Sequence, residues 1–176
     1  MSDRTTTRTR VLAAVTLIIC AGGFAAATGA PARSREDGSD IARLGKVAPE
    51  LGITLEDGTG AKLSSLVQDR RTIVVFHSPV CGVCAATLPA LQPFPSSLRL
   101  VMVDVSGNPM APMRVEPNGP RHVAANKQVV QRLFPFSGLP TIVFLDETGV
   151  IRAGLAGSQP TGRIQEALQA FAGGKR

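Results

Sequence analysis

Thr72 to His77, TIVVFH, is a β-branched and almost continuous apolar run, and four residues further on the chain presents Cys81-Gly82-Val83-Cys84 followed by AATLPALQPF. A run of that kind suits a central strand covered on both faces rather than a strand with one wet side. Ala85, Leu88 and Leu91 lie at helical spacing, so a helix is expected to begin at the cysteines. The two thiols therefore sit where a strand hands over to a helix, and a strand buried on both faces demands helices on both sides of a sheet.

The flanking sequence supplies the remaining layers. ELGITLEDGTGAKLSSL holds two short apolar-rich runs around the turn signal Glu56-Asp57-Gly58-Thr59-Gly60, which predicts a β-hairpin, and Ser64 is a candidate cap for a short helix through Val67. Leu98 to Val105 reads as a second strand. Ser106 to Pro120, rich in Pro and bearing Met, reads as a long loop, and Val123 to Phe134 reads as a helix that Pro135-Phe136-Ser137-Gly138 stops. Thr141 to Leu145 is a further strand, Asp146-Glu147-Thr148-Gly149 a turn, and Val150 to Gly154 a strand pairing back. Thr161 is expected to cap a last amphipathic helix to Phe171. The order is β-hairpin, β, α, β, α, β, β, α: an α/β domain with a central mixed sheet flanked by helices and an N-terminal β-hairpin extension.

A Cys-x-x-Cys pair at a helix start has specific chemistry. Unpaired backbone amides and the positive end of the helix dipole stabilise a thiolate at Cys81, which makes it a nucleophile. Two intervening residues let the Cys84 sulfur reach the Cys81 sulfur and resolve a mixed disulfide. A purely structural bridge across four residues would constrain the unfolded chain little. Zn or Cu(I) held by the two thiols with His77 or His122 is the competing reading, but a structural zinc site would need a second Cys-x-x-Cys that the chain lacks.

Residues 1–10 carry Arg4, Arg8 and Arg10, and Val11 to Ala30 runs for 20 residues without a charge. A basic n-region before an apolar segment directs the downstream chain out of the cytoplasm. The segment is long enough for a signal anchor, and Ala25, Ala27 and Ala30 offer cleavage sites for a signal peptide, so single-pass inner-membrane placement and release to the periplasm both fit. Cys20 stands in a lipobox-like context with Ile19 where a small residue is expected, and is read as an inert membrane-facing Cys. The polar, Pro-bearing residues 31–44 form a linker, leaving 45–176 as one domain. Its 14 basic and nine acidic side chains, counted from residue 41, are scattered without a stripe, and Trp and Tyr are absent, so no nucleic-acid partner is expected.

TIVVFHSPVCGVC, then LVMVDVSGNP, then GLPTIVFLDETGVI, in that order and spacing, resemble thioredoxin-like proteins, in particular the membrane-tethered extracytoplasmic TlpA and ResA group. Ser78-Pro79-Val80-Cys81-Gly82-Val83-Cys84 is similar to the Ser-Pro-x-Cys-Pro-x-Cys of the MauD-like branch. The resemblance spans roughly residues 45–172. It implies attack by Cys81, resolution by Cys84, and a cis Leu139–Pro140 bond beside the thiols that pairs its backbone with a bound substrate segment. It also marks departures: Val80 replaces the Trp before the first Cys, the buried strand acid falls at Val75, and its Lys partner falls at Leu100. Proton transfer from Cys84 must then use water or another group, for which His77 is the nearest titratable candidate, while His122 is expected to open a solvated helix.

The reading is an extracytoplasmic thiol-disulfide oxidoreductase without cofactor or metal. The resemblance favours a reductase of specific client disulfides, with a membrane or extracytoplasmic thiol as electron donor. Two alternatives stay open: a Cu(I) metallochaperone of the same fold, and an interaction module with idle thiols. A peroxidase reading fails because its motif would place Pro at Val74.

Overall fold

The computed structural model describes residues 43–107, 119–135 and 137–174. In chain order the elements are strands β1 (Gly52–Thr54) and β2 (Gly60–Lys62), helix α1 (Ser64–Val67), strand β3 (Thr72–His77) and helix α2 (Gly82–Thr87). A 3-10 turn (Leu88–Leu91), strands β4 (Arg99–Asp104) and β5 (Arg121–Ala124), helix α3 (Lys127–Leu133), strands β6 (Thr141–Leu145) and β7 (Ile151–Ala156), and helix α4 (Thr161–Ala172) complete the order. Among the described residues the strands form one seven-stranded sheet in the order β2-β1-β5-β4-β3-β6-β7.

The apolar run at Thr72–His77 is the centre of that sheet, parallel to β4 and antiparallel to β6. Its side chains divide by alternation. Val74 and Phe76 enter a layer with Leu63, Val67, Val130 and Phe134, under α1 and α3. Ile73 and Val75 enter the opposite layer with Ala90, Leu91, Ile164, Leu168 and Phe171, under the 3-10 turn and α4. Phe76 and Phe144, both 0% exposed, anchor the two layers, and each packs against a second ring: Phe76 on Phe134 at 4.9 Å and Phe144 on Phe171 at 5.4 Å. Burying one such side chain contributes about 1.5–3 kcal/mol, which is why a strand without a polar face is stable here.

Several boundaries differ from expectation for identifiable reasons. Arg121–Ala124 is a strand rather than the start of a helix, because Val123 and Ala125 alternate into the α3 layer while β5 completes the ladder beside β4. His122 thus lies on a strand, and α3 starts only after Asn126, whose Oδ1 accepts from the Gln128 and Val129 amides at 3.0 and 3.2 Å. Neither Ser64 nor Thr161 caps a helix. Leu63 and Pro160 hold those positions without side-chain bonds, and the Ser64 hydroxyl instead donates to Glu50. Ala85 is exposed, since α2 ends at Thr87 and Pro89 tightens the next turn into 3-10 geometry, leaving Ala90 and Leu91 to pack inward. Across the β3–β4 ladder Val75 pairs with Met102 and Ile73 with Leu100, so that part of the sheet is apolar on both strands. The loop expected over Ser106 to Pro120 falls largely outside the described residues, as do residues 1–42.

Candidate functional site

Cys81 and Cys84 are joined by a disulfide with their Cα atoms 5.2 Å apart, so the structure is that of the oxidised form. The bridge is made locally. β3 ends at His77, the Cys81 amide donates to the Ser78 carbonyl at 3.0 Å to close a tight turn, and Cys81 takes the N-cap position of α2 with an extended backbone. From there its Sγ accepts the Cys84 amide at 3.1 Å, while its carbonyl receives the Ala85 amide at 3.1 Å as the first helical bond. One helix start thus supplies both the closure of the ring and an N–H aimed at the Cys81 sulfur.

Exposure separates the two sulfurs. Cys84 is 1% exposed, on the inner side of α2, whereas Cys81 is half-buried and is flanked by Val80 at 86% and Val83 at 45%. A partner can reach Cys81 and not Cys84. The rim around it, Pro79, Val80, Gly82 and Val83, carries no charge.

Leu139 and Pro140 lie at the same pole: Thr141 pairs with Phe76, so the residues before β6 stand beside the end of β3 from which the cysteine turn departs. The Leu139–Pro140 peptide bond is cis, Pro140 is buried, and its carbonyl accepts the Gly157 amide at 2.8 Å. A second cis bond, Gln92–Pro93, has no signal in the sequence; Gln165 of α4 donates to the Ala90 and Gln92 carbonyls on either side of that turn.

His77, whose facing the sequence leaves open, falls on the Val75 side of the sheet, the side that the 3-10 turn following α2 covers. Directly across the parallel ladder stands Asp104, a buried carboxylate that sequence reasoning does not single out although it is the one acid in the run LRLVMVDV. Its oxygens accept the Ser106 amide at 2.7 Å and the Ser106 hydroxyl at 3.1 Å. His122 of β5 projects from the same face, opposite Met102. Burial pushes the His77 imidazole below its ordinary value; the Asp104 carboxylate opposes that shift and His122 adds to it. His122 itself is held by its backbone: its amide donates to Glu56 at 2.7 Å, and Arg121 pairs with the same carboxylate at 3.2 Å.

Among the described residues no three His, Cys, Asp or Glu side chains converge as a metal site, and no helix is long and apolar enough to cross a membrane. The Val11–Ala30 segment lies outside those residues. A groove of about 880 Å³ runs along the β1–β2 hairpin past Gly107 and Asn126, and Cys81 does not line it.

No curated protein is matched by the sequence. Solved structures match the fold at low identity. A Chlorobium tepidum protein assigned as a thiol:disulfide interchange protein, DsbE, superposes with a TM-score of 0.58 at 18% identity, covering 73% of this chain and 97% of its own. An Aquifex aeolicus protein assigned to electron transfer gives 0.55 at 14%, covering 75% and 95%. The thioredoxin domain of a thiol-disulfide oxidoreductase from Bacteroides vulgatus gives 0.53 at 18%, covering 73% and 97%. A family profile described as thioredoxin-like domain matches residues 65–172, from α1 through α4, and the protein therefore belongs to the thioredoxin-like domain family.

Proposed function

We propose that this protein is a thiol-disulfide oxidoreductase, and that it works as a reductase of specific client disulfides outside the cytoplasm, in the manner of the TlpA, ResA and MauD-like group. The observation that carries this is the asymmetry of the pair: an accessible Cys81 with an amide directed at its sulfur, bonded to a Cys84 that solvent does not reach. In the reduced form, the Cys81 thiolate attacks one sulfur of a client disulfide. The client S–S bond breaks, and the departing client sulfur takes a proton from solvent. Cys84 then attacks the Cys81 sulfur, the intermolecular bond breaks, and the second client sulfur leaves as a thiol. Two electrons have moved from the protein dithiol to the client, and a second dithiol donor must restore Cys81 and Cys84. Leu139 and Pro140, at the same pole, offer backbone to an extended client segment.

The extracytoplasmic placement is supported by the arginines of residues 1–10 ahead of the uncharged residues 11–30. An alkaline phosphatase fused after residue 45 should be active if the domain is exported. Catalysis is tested with insulin and a small dithiol donor. The intact protein should accelerate reduction, and Cys81→Ser should bring the rate to background. Background rates from the unaltered reduced protein would overturn the exchange reading.

A further inference from the structure

Resolution of the mixed disulfide needs Cys84 as a thiolate, yet Cys84 is 1% exposed and the positions where the resemblance would put a buried acid and its lysine are the apolar Val75 and Leu100. Water has poor access there, and burial disfavours an unpartnered thiolate. The sheet offers something else. Three titratable side chains, His77, Asp104 and His122, come from the adjacent strands β3, β4 and β5 and share the face that the 3-10 turn following α2 covers. His77 and Asp104 are register partners at the ends of their strands, and the ladder continues past them through the Val105 amide to the His77 carbonyl at 2.9 Å. That end of β3 is where the chain turns into α2, whose inner side carries Cys84.

We infer that His77 takes the Cys84 proton during resolution, and that Asp104 is a positioning residue whose carboxylate stabilises the resulting imidazolium. The inference rests on the exchange reading above. In the step, the Cys84 S–H bond breaks and an N–H bond forms on His77. The Cys84 sulfur attacks the Cys81 sulfur, and the Cys81–client bond breaks with both its electrons going to the client sulfur. His77 returns its proton to that sulfur or to solvent. No oxidant beyond the client disulfide is required.

The electrostatic surroundings match this role. Burial keeps the imidazole neutral near neutral pH, so it has a free lone pair to accept with. Asp104 from β4 favours the charged form after transfer, and His122 from β5 opposes it. From the β6 side, Leu139, Pro140 and Thr141 bring no charge. Asp104 stays available as an acceptor because Ser106 fixes it from its own strand end.

The test separates attack from resolution. The reduced full-length protein is mixed with insulin, and two rates are measured against pH by acid quench and mass: appearance of the Cys81 mixed disulfide and its conversion to the Cys81–Cys84 disulfide. For His77→Gln the attack rate should stay within about threefold. Resolution near pH 6.5 should fall by at least about 100-fold, the lower end of what a positioned acid or base supplies, and recover toward about pH 9 as the thiol ionises unaided. Asp104→Asn, which keeps an oxygen for the Ser106 amide, should slow resolution about tenfold in the same pH range. His122→Gln should shift the resolution profile opposite to Asp104→Asn, as losing the His122 interaction that lowers the His77 pKa makes His77 a stronger base. Resolution that is unchanged in His77→Gln, or slowed equally at every pH, overturns the inference, since a structural lesion has no reason to vanish at high pH. Failure of the unaltered protein to form any Cys81 adduct would instead overturn the exchange reading on which it rests.

Discussion

At the level of single residues, neighbours decide where charge is tolerated, and Asp146 shows this away from the disulfide. Burial alone would push its carboxyl up, but the Thr148 hydroxyl at 2.7 Å, the Val150 amide at 2.9 Å, the Arg152 guanidinium at 2.7 Å and the Thr148 amide hold it down at about 2. Because the folded value lies below the unfolded one, its contribution is fully present above about pH 4 and is lost as pH falls through about 2. Asp146→Asn should destabilise the protein by about 1–2 kcal/mol near pH 6, with the gap to the parent closing toward about pH 2, as read by urea unfolding at a series of pH values. The cysteine pair is legible in the sequence because the spacing is a motif with a mechanism. Asp104 is not. A single acid at the end of an apolar strand says nothing by itself about its partner, and only the register of β3 against β4 sets it across from His77.

At the level of elements, hydrophobic run length tells more than capping chemistry does. β3 and β6 have the boundaries that their sequences announce, since runs such as TIVVFH and TIVFL fill both core layers, though a run apolar on both faces does not say which way His77 points. Caps are harder to read because Ser, Thr and Asn side chains have several competing partners near a helix start. Asn126 binds two amides of α3, while Ser64 and Thr161 bind none of their own helices. Asn126→Ala should therefore cost about 1 kcal/mol, and Ser64→Ala and Thr161→Ala should each stay within about 0.5 kcal/mol, measured by far-ultraviolet circular dichroism in urea. β5 passes for helix in the sequence because four residues with one core Val carry too little periodicity to distinguish the two. In the sheet, Phe76 is a fully buried aromatic of the α3 layer. It touches Phe134 and is fully buried, so Phe76→Ala should destabilise by about 3–5 kcal/mol in the same assay.

Across the described domain, the first described residues and the disulfide lie at opposite poles. Gly45 donates to the Ile151 carbonyl at 2.8 Å and Val47 bridges Val150, beside the first residue of β3, whereas the disulfide lies beyond its last. The strand between is six residues, about 20 Å at ~3.3 Å per residue. Removing residues 1–40 should thus leave insulin turnover within about twofold of the full chain, as an initial-rate comparison would show. The fold class and the layering are readable from the order of apolar runs, while the sheet's outer order is not, because the short strands β1, β2 and β5 owe their places to tertiary pairing.

Everything proposed for this molecule depends on Cys81 alone forming the bond to a client and Cys84 breaking it. The most direct measurement mixes the Cys84→Ser variant, reduced, with insulin and maps every adduct by peptide mass. A stable mixed disulfide on Cys81, with none on Cys20 and only a transient one in the unaltered protein, is the predicted result. Adducts forming as fast on Cys84 in the Cys81→Ser variant would contradict that division of roles.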